Sequence, residues 1–197
     1  MSKSRISLPQ PDTLGSTPLE TAIARRRSVR SYATRELSLE QIGQLLWAAQ
    51  GITGGRSNKR AAPSAGACQP LIFYLCRVDG LWRYHPEEHA LAQHRQGDIR
   101  PDLAQAAWGQ QFVAQAPCTF VISAIFERTT QRYGERGQVR YVPMDVGHAA
   151  QNLLLQAVAL GLASVPVGAF NDLATKGVLS LPEQEEPLYL LPVGYPE

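Results

Sequence analysis

The stretch from Asp145 to Leu162 constrains this chain more than any other. Val146, Ala149, Ala150, Leu153, Leu154, Ala157, Val158 and Leu160 recur at helical spacing and leave little polar surface. A helix so apolar and so rich in alanine must be buried on most of its circumference. The rest of the fold has to wrap around it, and a second copy of the same helix is one way to cover what the chain itself does not.

The surrounding pattern is mixed. Thr17-Pro18-Leu19-Glu20 reads as a helix start, with Thr17 capping, Pro18 in the first helical position and Glu20 closing a capping box. That helix should end near the arginines at 25–27. Ser38-Leu39-Glu40-Gln41 repeats the signature, and Leu39, Ile42, Leu45, Leu46 and Ala49 then make one apolar face that Gly51 stops. Thr53 to Gly66 is a long polar loop of the kind that carries function. Leu71 to Val78 reads as a strand, turned at Asp79-Gly80 and returning through Leu81 to Tyr84. Pro101 to Val113 reads as a helix, Cys118 to Phe126 as a buried strand and Glu127 to Gln138 as a polar surface segment. Ser164 to Val167 and Leu188 to Val193 are further strands. Helices and strands mix without βαβ alternation, which predicts an α+β fold. The division expected is a flexible segment at 1–16 and one domain over 17–197.

Composition narrows the function. The chain has 197 residues, a formal charge of +2, 44% hydrophobic and 18% charged residues. This is an ordinary globular balance, too near neutrality for general nucleic-acid or membrane-surface binding. Met1 to Gly15 is polar with Pro9 and Pro11, so no signal peptide is expected. No apolar run reaches the roughly 20 residues that span a bilayer. Cys68, Cys76 and Cys118 form no CxxC pair, so reduced thiols in the cytoplasm are the simpler expectation. His85, His89 and His94 fall in a stretch that reads as solvated, and no metal site is expected. His148 reads as a core or interface histidine, and Trp47, Trp82 and Trp108 as core or interface residues, with Trp108 bordering the candidate site.

Three segments could carry chemistry. Arg25-Arg26-Arg27-Ser28-Val29-Arg30 gathers four guanidinium groups in six residues. They repel one another unless an anion sits among them, and arginine's rigid fork matches phosphate; a solvated basic face is the plainer reading. Pro63-Ser64-Ala65-Gly66-Ala67-Cys68-Gln69-Pro70 precedes a strand, and its small residues allow a flat ligand close to the backbone, though an ordinary loop would look the same. Val165-Pro166-Val167-Gly168-Ala169-Phe170 ends a strand before a helix near Asn171-Asp172, where free N–H groups can donate to a ligand, or simply turn the chain.

In this order the segments resemble the nitroreductase superfamily from about Leu19 to Pro196. The resemblance rests on Arg26-Arg27-Ser28-Val29-Arg30-Ser31-Tyr32, Pro63-Ser64-Ala65-Gly66-Ala67, Asp145-Val146-Gly147-His148-Ala149-Ala150-Gln151-Asn152-Leu153, Val167-Gly168-Ala169-Phe170 and Leu191-Pro192-Val193-Gly194. It implies a central mixed, mostly antiparallel sheet flanked by helices, in an intertwined homodimer with FMN at each interface. Arg26 and Ser28 would hold the phosphate and ribityl end, Arg27 would lend backbone contact, and Arg30 would face the pyrimidine edge. Pro63, Ser64 and Ala65 would reach the flavin bound mainly by the other subunit. Val167, Gly168 and Ala169 would lie along the central ring, one N–H meeting flavin N5. The reaction implied is ping-pong hydride transfer from NAD(P)H to an electron-poor small-molecule acceptor.

Within the superfamily, Glu127 to Gln151 looks most like the azoline oxidases, the thiazole- and oxazole-forming peptide dehydrogenases. Their Lys-Tyr pair corresponds here to Arg132-Tyr133. Arginine stays protonated and cannot act as a general base, so azoline oxidation is the second reading; Tyr133 could bind substrate or relay a proton. Relatives often supply basic residues beyond the final Gly-Tyr-Pro. This sequence carries none there, which would leave the phosphate to Arg26, Arg30 and Arg25 and admits a third reading, a non-catalytic flavin-binding protein.

Overall fold

The computed structural model describes residues 4–53 and 59–197. The predicted loop Thr53–Gly66 therefore lies partly outside the described residues.

Seven strands make one sheet in the order β1-β4-β3-β2-β5-β7-β6, with β1 at Arg5–Ser7, β2 at Leu71–Arg77, β3 at Gly80–His85, β4 at Ala90–Gln96, β5 at Cys118–Ala124, β6 at Ala163–Ser164 and β7 at Glu186–Gly194. Every strand pair is antiparallel, and a single parallel bridge joins Ser28 to Ser164. The Asp79-Gly80 signal turns β2 into β3 where expected, Arg77 pairing with Gly80.

Helices cover both faces, giving an α+β sandwich. Strand residues alternate: Leu71, Phe73 and Leu75 of β2 with Phe120 and Ile122 of β5 join the core beneath α2 (Leu39–Gln50) and α6 (Val142–Ala159). Ile72, Tyr74 and Val121 face the opposite core beneath α3 (Arg100–Ala106) and α7 (Asp172–Leu179). Because both faces are covered, the central strands read as unbroken apolar runs rather than alternating ones.

The helix that dominates the sequence is α6. It buries Val146, Ala149, Ala150, Leu153, Leu154 and Ala157 against α2 and the sheet, while Met144, Gly147, His148 and Gln151 face outward. Asn152 Nδ2 donates to Ala48 O at 3.1 Å and fixes its register on α2. α2 starts with the expected capping box: Gln41 N donates to Ser38 Oγ at 3.3 Å and Ser38 N to Gln41 Oε1 at 3.0 Å.

Several elements differ from expectation. α1 (Leu19–Arg25) has no capping box; Pro18 takes the cap position and Thr17 Oγ1 donates instead to Ala159 O at 3.4 Å, serving an orphan carbonyl at the end of α6. Residues 5–7, within the segment expected to be flexible, form the edge strand β1 on β4, and Leu8 behind them is buried. The stretch expected to be solvated around His89 and His94 is the strand β4; its polar residues belong to a strand near the sheet edge. His89 contacts Tyr84 Oη and Pro9 O, each at 2.9 Å. Burial holds its pKa below the ordinary value, so the ring is neutral, donating to Pro9 O and accepting from Tyr84. The surface segment expected at 127–138 is largely exposed, and its first part, Glu127–Tyr133, is a helix, α5. The helix predicted over 101–113 is broken into α3 and α4 (Phe112–Gln115). Trp108 and Gly109 are both left-handed, at φ 58 and 75, and Gly109 N returns to Ala104 O at 3.0 Å to close a Schellman turn.

Candidate functional site

The arginine segment leaves α1 as extended chain. Arg26, at φ −56 and ψ 122, ends the helix. Ser28 then bridges Ser164, and Val29 N donates to Ser164 O at 3.0 Å, so residues 28–30 run as an extra edge beside β6. Tyr32 locks this path: its buried hydroxyl donates to Val29 O at 2.8 Å, and Ala33 N donates to Tyr195 O at 3.0 Å. Arg27 folds back on the helix end, Nη1 donating to Ala24 O at 3.0 Å and Arg26 O at 2.7 Å. Its side chain is therefore spent locally, which leaves its backbone for any ligand. Arg25, Arg26 and Arg30 meet no carboxylate among the described residues. Arg30 lies over the Phe112 ring, 5.7 Å from its centroid.

The segment Val165–Ala169 continues from β6 along β7. Val167 N donates to Leu190 O at 2.8 Å and Val167 O accepts from Leu190 N at 3.0 Å, so the N–H of Val167 is consumed by the sheet. The N–H of Gly168 has no partner among the described residues. A side chain at Gly168 would meet only Tyr189 Cε2, at 3.7 Å, so the space before it is open. Gln110 Nε2 donates to Ala169 O and to Ala107 O, both at 2.9 Å, and pins the strand end to the α3 turn. The contact of Gln110 with Ala169 spans 59 residues and has no local signature in the sequence. Trp108, 68% exposed, borders a hollow shared with Gly109 and Asn171 beside this segment.

The fold thus brings Arg26, Ser28 and Arg30 together with Val167, Gly168 and Ala169 on one sheet edge. It places Pro63, Ser64 and Ala65 elsewhere. They precede β2, whose Leu71 is level with Ala124 of β5 and Glu186 of β7, whereas Ser164 is level with Val193, at the opposite end of β7. The loop is tightly wound: Gly66, Ala67 and Gln69 all have positive φ, at 56, 54 and 49. Backbone conformations of that kind, outside glycine, collect at functional sites.

What holds this loop was not read from sequence. Asp145, 3% exposed on α6, accepts Ala65 N at 3.2 Å through Oδ1. Its Oδ2 is buried without a partner among the described residues. Burial raises its pKa, against the opposing pull of the Ser64 hydroxyl, the Ala65 N–H and His148. On the other side Arg132 Nη1 donates to Gly66 O at 3.2 Å, and a side chain at Gly66 would stand 2.5 Å from Tyr133 Oη. Arg132 and Tyr133 therefore face the loop, Tyr133 edge-on to Tyr141 with ring centroids 5.0 Å apart.

An α+β sandwich with an arginine-lined sheet edge and an open backbone donor defines a class of fold, and comparison places it. A crystal structure described as a nitroreductase from Ralstonia eutropha superposes with a TM-score of 0.89 at 31% identity, covering 98% of this chain and 90% of that one. The NADPH:FMN oxidoreductase of Vibrio harveyi, solved with NAD+, shares the fold at a TM-score of 0.68 and 22% identity, over 91% of this chain and 69% of its own. A Methanocaldococcus jannaschii protein described as a nitroreductase is 43% identical over 182 residues, 89% of this chain and 90% of that protein. The nitroreductase family pattern matches residues 23–195, and the chain belongs to that family. It is an oxidoreductase of the flavin-dependent kind. Among the described residues no helix is long and apolar enough to cross a membrane.

Proposed function

We propose that the chain binds FMN and, as a homodimer, passes hydride from NAD(P)H to an electron-poor small molecule in two separate half-reactions. The observation that carries this is the pairing of unneutralised guanidinium groups at Arg26 and Arg30 with the unpartnered N–H of Gly168 on the same sheet edge. FMN offers a phosphate dianion at one end and a flat ring with a hydrogen-bond acceptor at the other, so the residues fit it. When bound, it supplies the two-electron hydride exchange; the protein supplies orientation and electrostatics.

In this reading each residue has a part. Arg26 and the exposed Ser28 hydroxyl hold the phosphate and ribityl end, and Arg27 contributes its backbone. Arg30, held over the face of Phe112, faces the pyrimidine edge, where its fixed positive charge favours the reduced, more anionic ring system. Gly168 donates to N5, with Val167 and Ala169 flanking it along the ring. Pro63, Ser64 and Ala65 close over the flavin held by the partner subunit. The outward face of α6 and the exposed Leu19 and Ile23 of α1 are the surface that a second copy covers. The three cysteines are all free, which suits a reducing, cytoplasmic setting.

The purified protein should be yellow, and anaerobic NADH or NADPH should bleach its absorption band within seconds. A colourless protein that takes up no added FMN refutes the reading. A second reading, oxidation of a peptide-derived azoline, draws support from Arg132 and Tyr133 converging on the Gly66 loop. It predicts a bound flavin that NAD(P)H does not bleach and that Tyr133→Phe slows only with heterocyclic substrates.

A further inference from the structure

A second group of arginines lies away from the Arg26–Arg30 edge, behind the loop that ends at Gln69. Arg60 from the chain after α2, Arg83 from β3 and Arg128 from α5 border one partly open pocket of ≈ 160 Å³. Arg60 is the most deeply placed, its side chain 9% exposed. Nη1 donates to Gln50 O at 3.3 Å and Nη2 to Glu87 Oε1 at 2.5 Å, so two of its nitrogens tie the end of α2 to the turn after β3. Its Nε is buried and has no acceptor among the described residues. Arg128 Nη1 donates to Gln69 O at 3.0 Å. Arg83 makes no hydrogen bond or ion pair among the described residues.

The structural tie through Arg60 accounts for neither its orphan Nε nor the two guanidinium groups that join it. Buried donors in proteins are almost always paired, because an unmet one forfeits its hydration with no return. Against three permanent cations the cavity sets one carboxylate, Glu87, at its rim with the side chain 56% exposed. His85 in the same wall is held below its ordinary pKa by burial first and then by Arg83 and Arg5, so it adds no charge at neutral pH. Two positive charges are left over. The volume lies below the ≈ 300–1,000 Å³ usual for whole small-molecule ligands. It suits a single charged group instead.

We propose that Arg60, Arg83 and Arg128 form an oxyanion site, taking a carboxylate or phosphate group whose remainder lies outside the Glu87 rim. The planar forks favour two-pronged contact with such a group, and the orphan Nε of Arg60 gains its acceptor. This site does not depend on the flavin reading, because it shares no residue with the Arg26–Gly168 edge.

The test uses the full chain with excess FMN, titrated with inorganic phosphate and separately with acetate at ionic strength fixed by NaCl. Calorimetry reads binding and thermal unfolding reads stabilisation. Saturable binding of either anion is expected, with phosphate or acetate preference identifying the source. Arg83→Gln should weaken it about tenfold, the effect of one charged hydrogen bond, without lowering Tm, since Arg83 holds nothing else. Arg128→Gln should weaken binding by a similar factor and lower Tm slightly, because its bond to Gln69 O is lost as well. The Arg26→Gln, Arg30→Gln double variant should leave it intact. Absence of saturable binding by both anions overturns the proposal. So does binding indifferent to Arg83→Gln and Arg128→Gln, or binding lost in the Arg26, Arg30 variant.

Discussion

Replacing Gly168 by alanine separates folding from flavin binding. The added methyl meets only Tyr189 Cε2, at 3.7 Å, which is ordinary contact, and Gly168 is not among the glycines with positive φ. The folded chain therefore accepts alanine without strain, while the unfolded chain loses freedom, a gain of about 0.4–1 kcal/mol. In a chain of this size about 1 kcal/mol moves Tm by roughly 2–4 °C, so flavin-free protein should melt about 1–4 °C higher. The proposed ring occupies the same open space. An extra methyl in a filled contact costs about 1–3 kcal/mol, which weakens binding roughly 5- to 150-fold. Flavin fluorescence quenching gives the affinity and scanning fluorimetry of the flavin-free protein gives Tm. A raised Tm with unchanged FMN affinity would refute the placement of the ring against Gly168.

Other perturbations probe other links. Trp108→Gly relieves a left-handed tryptophan, about 1–2 kcal/mol, against about 0.5–1 kcal/mol of added chain entropy; Tm should hold or rise by up to about 6 °C, while KM for the acceptor rises and reduction by NAD(P)H is unchanged. Loss of Tm would show the left-handed turn to be unstrained. Asp145 binds its proton more tightly folded than unfolded, because burial raises its pKa from the ordinary 3.8. Stability should therefore fall as pH rises from that value through the folded pKa, and Asp145→Asn should flatten this slope in urea titrations taken across it. An unaltered slope would mean that the Asp145 carboxyl does not set it. Phe120→Ala empties a fully buried position of the central strand and should lower stability by about 3–5 kcal/mol, read as a lower urea midpoint at constant m; a loss under 1 kcal/mol would contradict the packing described.

The sequence carried most where the signal was local. α6 was legible because its apolar residues repeat at one period for five turns. The Ser38–Gln41 box was legible because both partners lie within four residues. β2, β3 and β5 followed from apolar runs and one Asp-Gly turn. β4 was missed because Gln93, His94, Arg95 and Gln96 are polar in a strand that is partly open to solvent. The break in the predicted 101–113 helix was missed because Trp108, not glycine, takes the left-handed position and the glycine follows one residue later. The contact of Asp145 with Ala65 spans 80 residues, and Arg60, Arg83 and Arg128 meet only because β3, α5 and the chain after α2 are brought together by the sheet. No window of sequence contains such information.

The sheet register itself argues that one flavin needs two chains. The Ser28–Arg30 edge lies beyond β6, four strand positions from β2. At about 4.8 Å per strand that is roughly 19 Å across the sheet. Along the strands, Leu71 is level with Ala124 and Ser164 with Cys118 through Val193, six residues of β5 apart and so about 20 Å. The arginine edge and the Pro63–Ala65 loop therefore occupy opposite corners of one rigid sheet, and no side-chain movement brings them to the same ring. If both touch FMN, as the resemblance implies, the loop must come from a second copy. The sheet then acts as a spacer, holding each chain's two half-sites apart so that a dimer closes both sites at once.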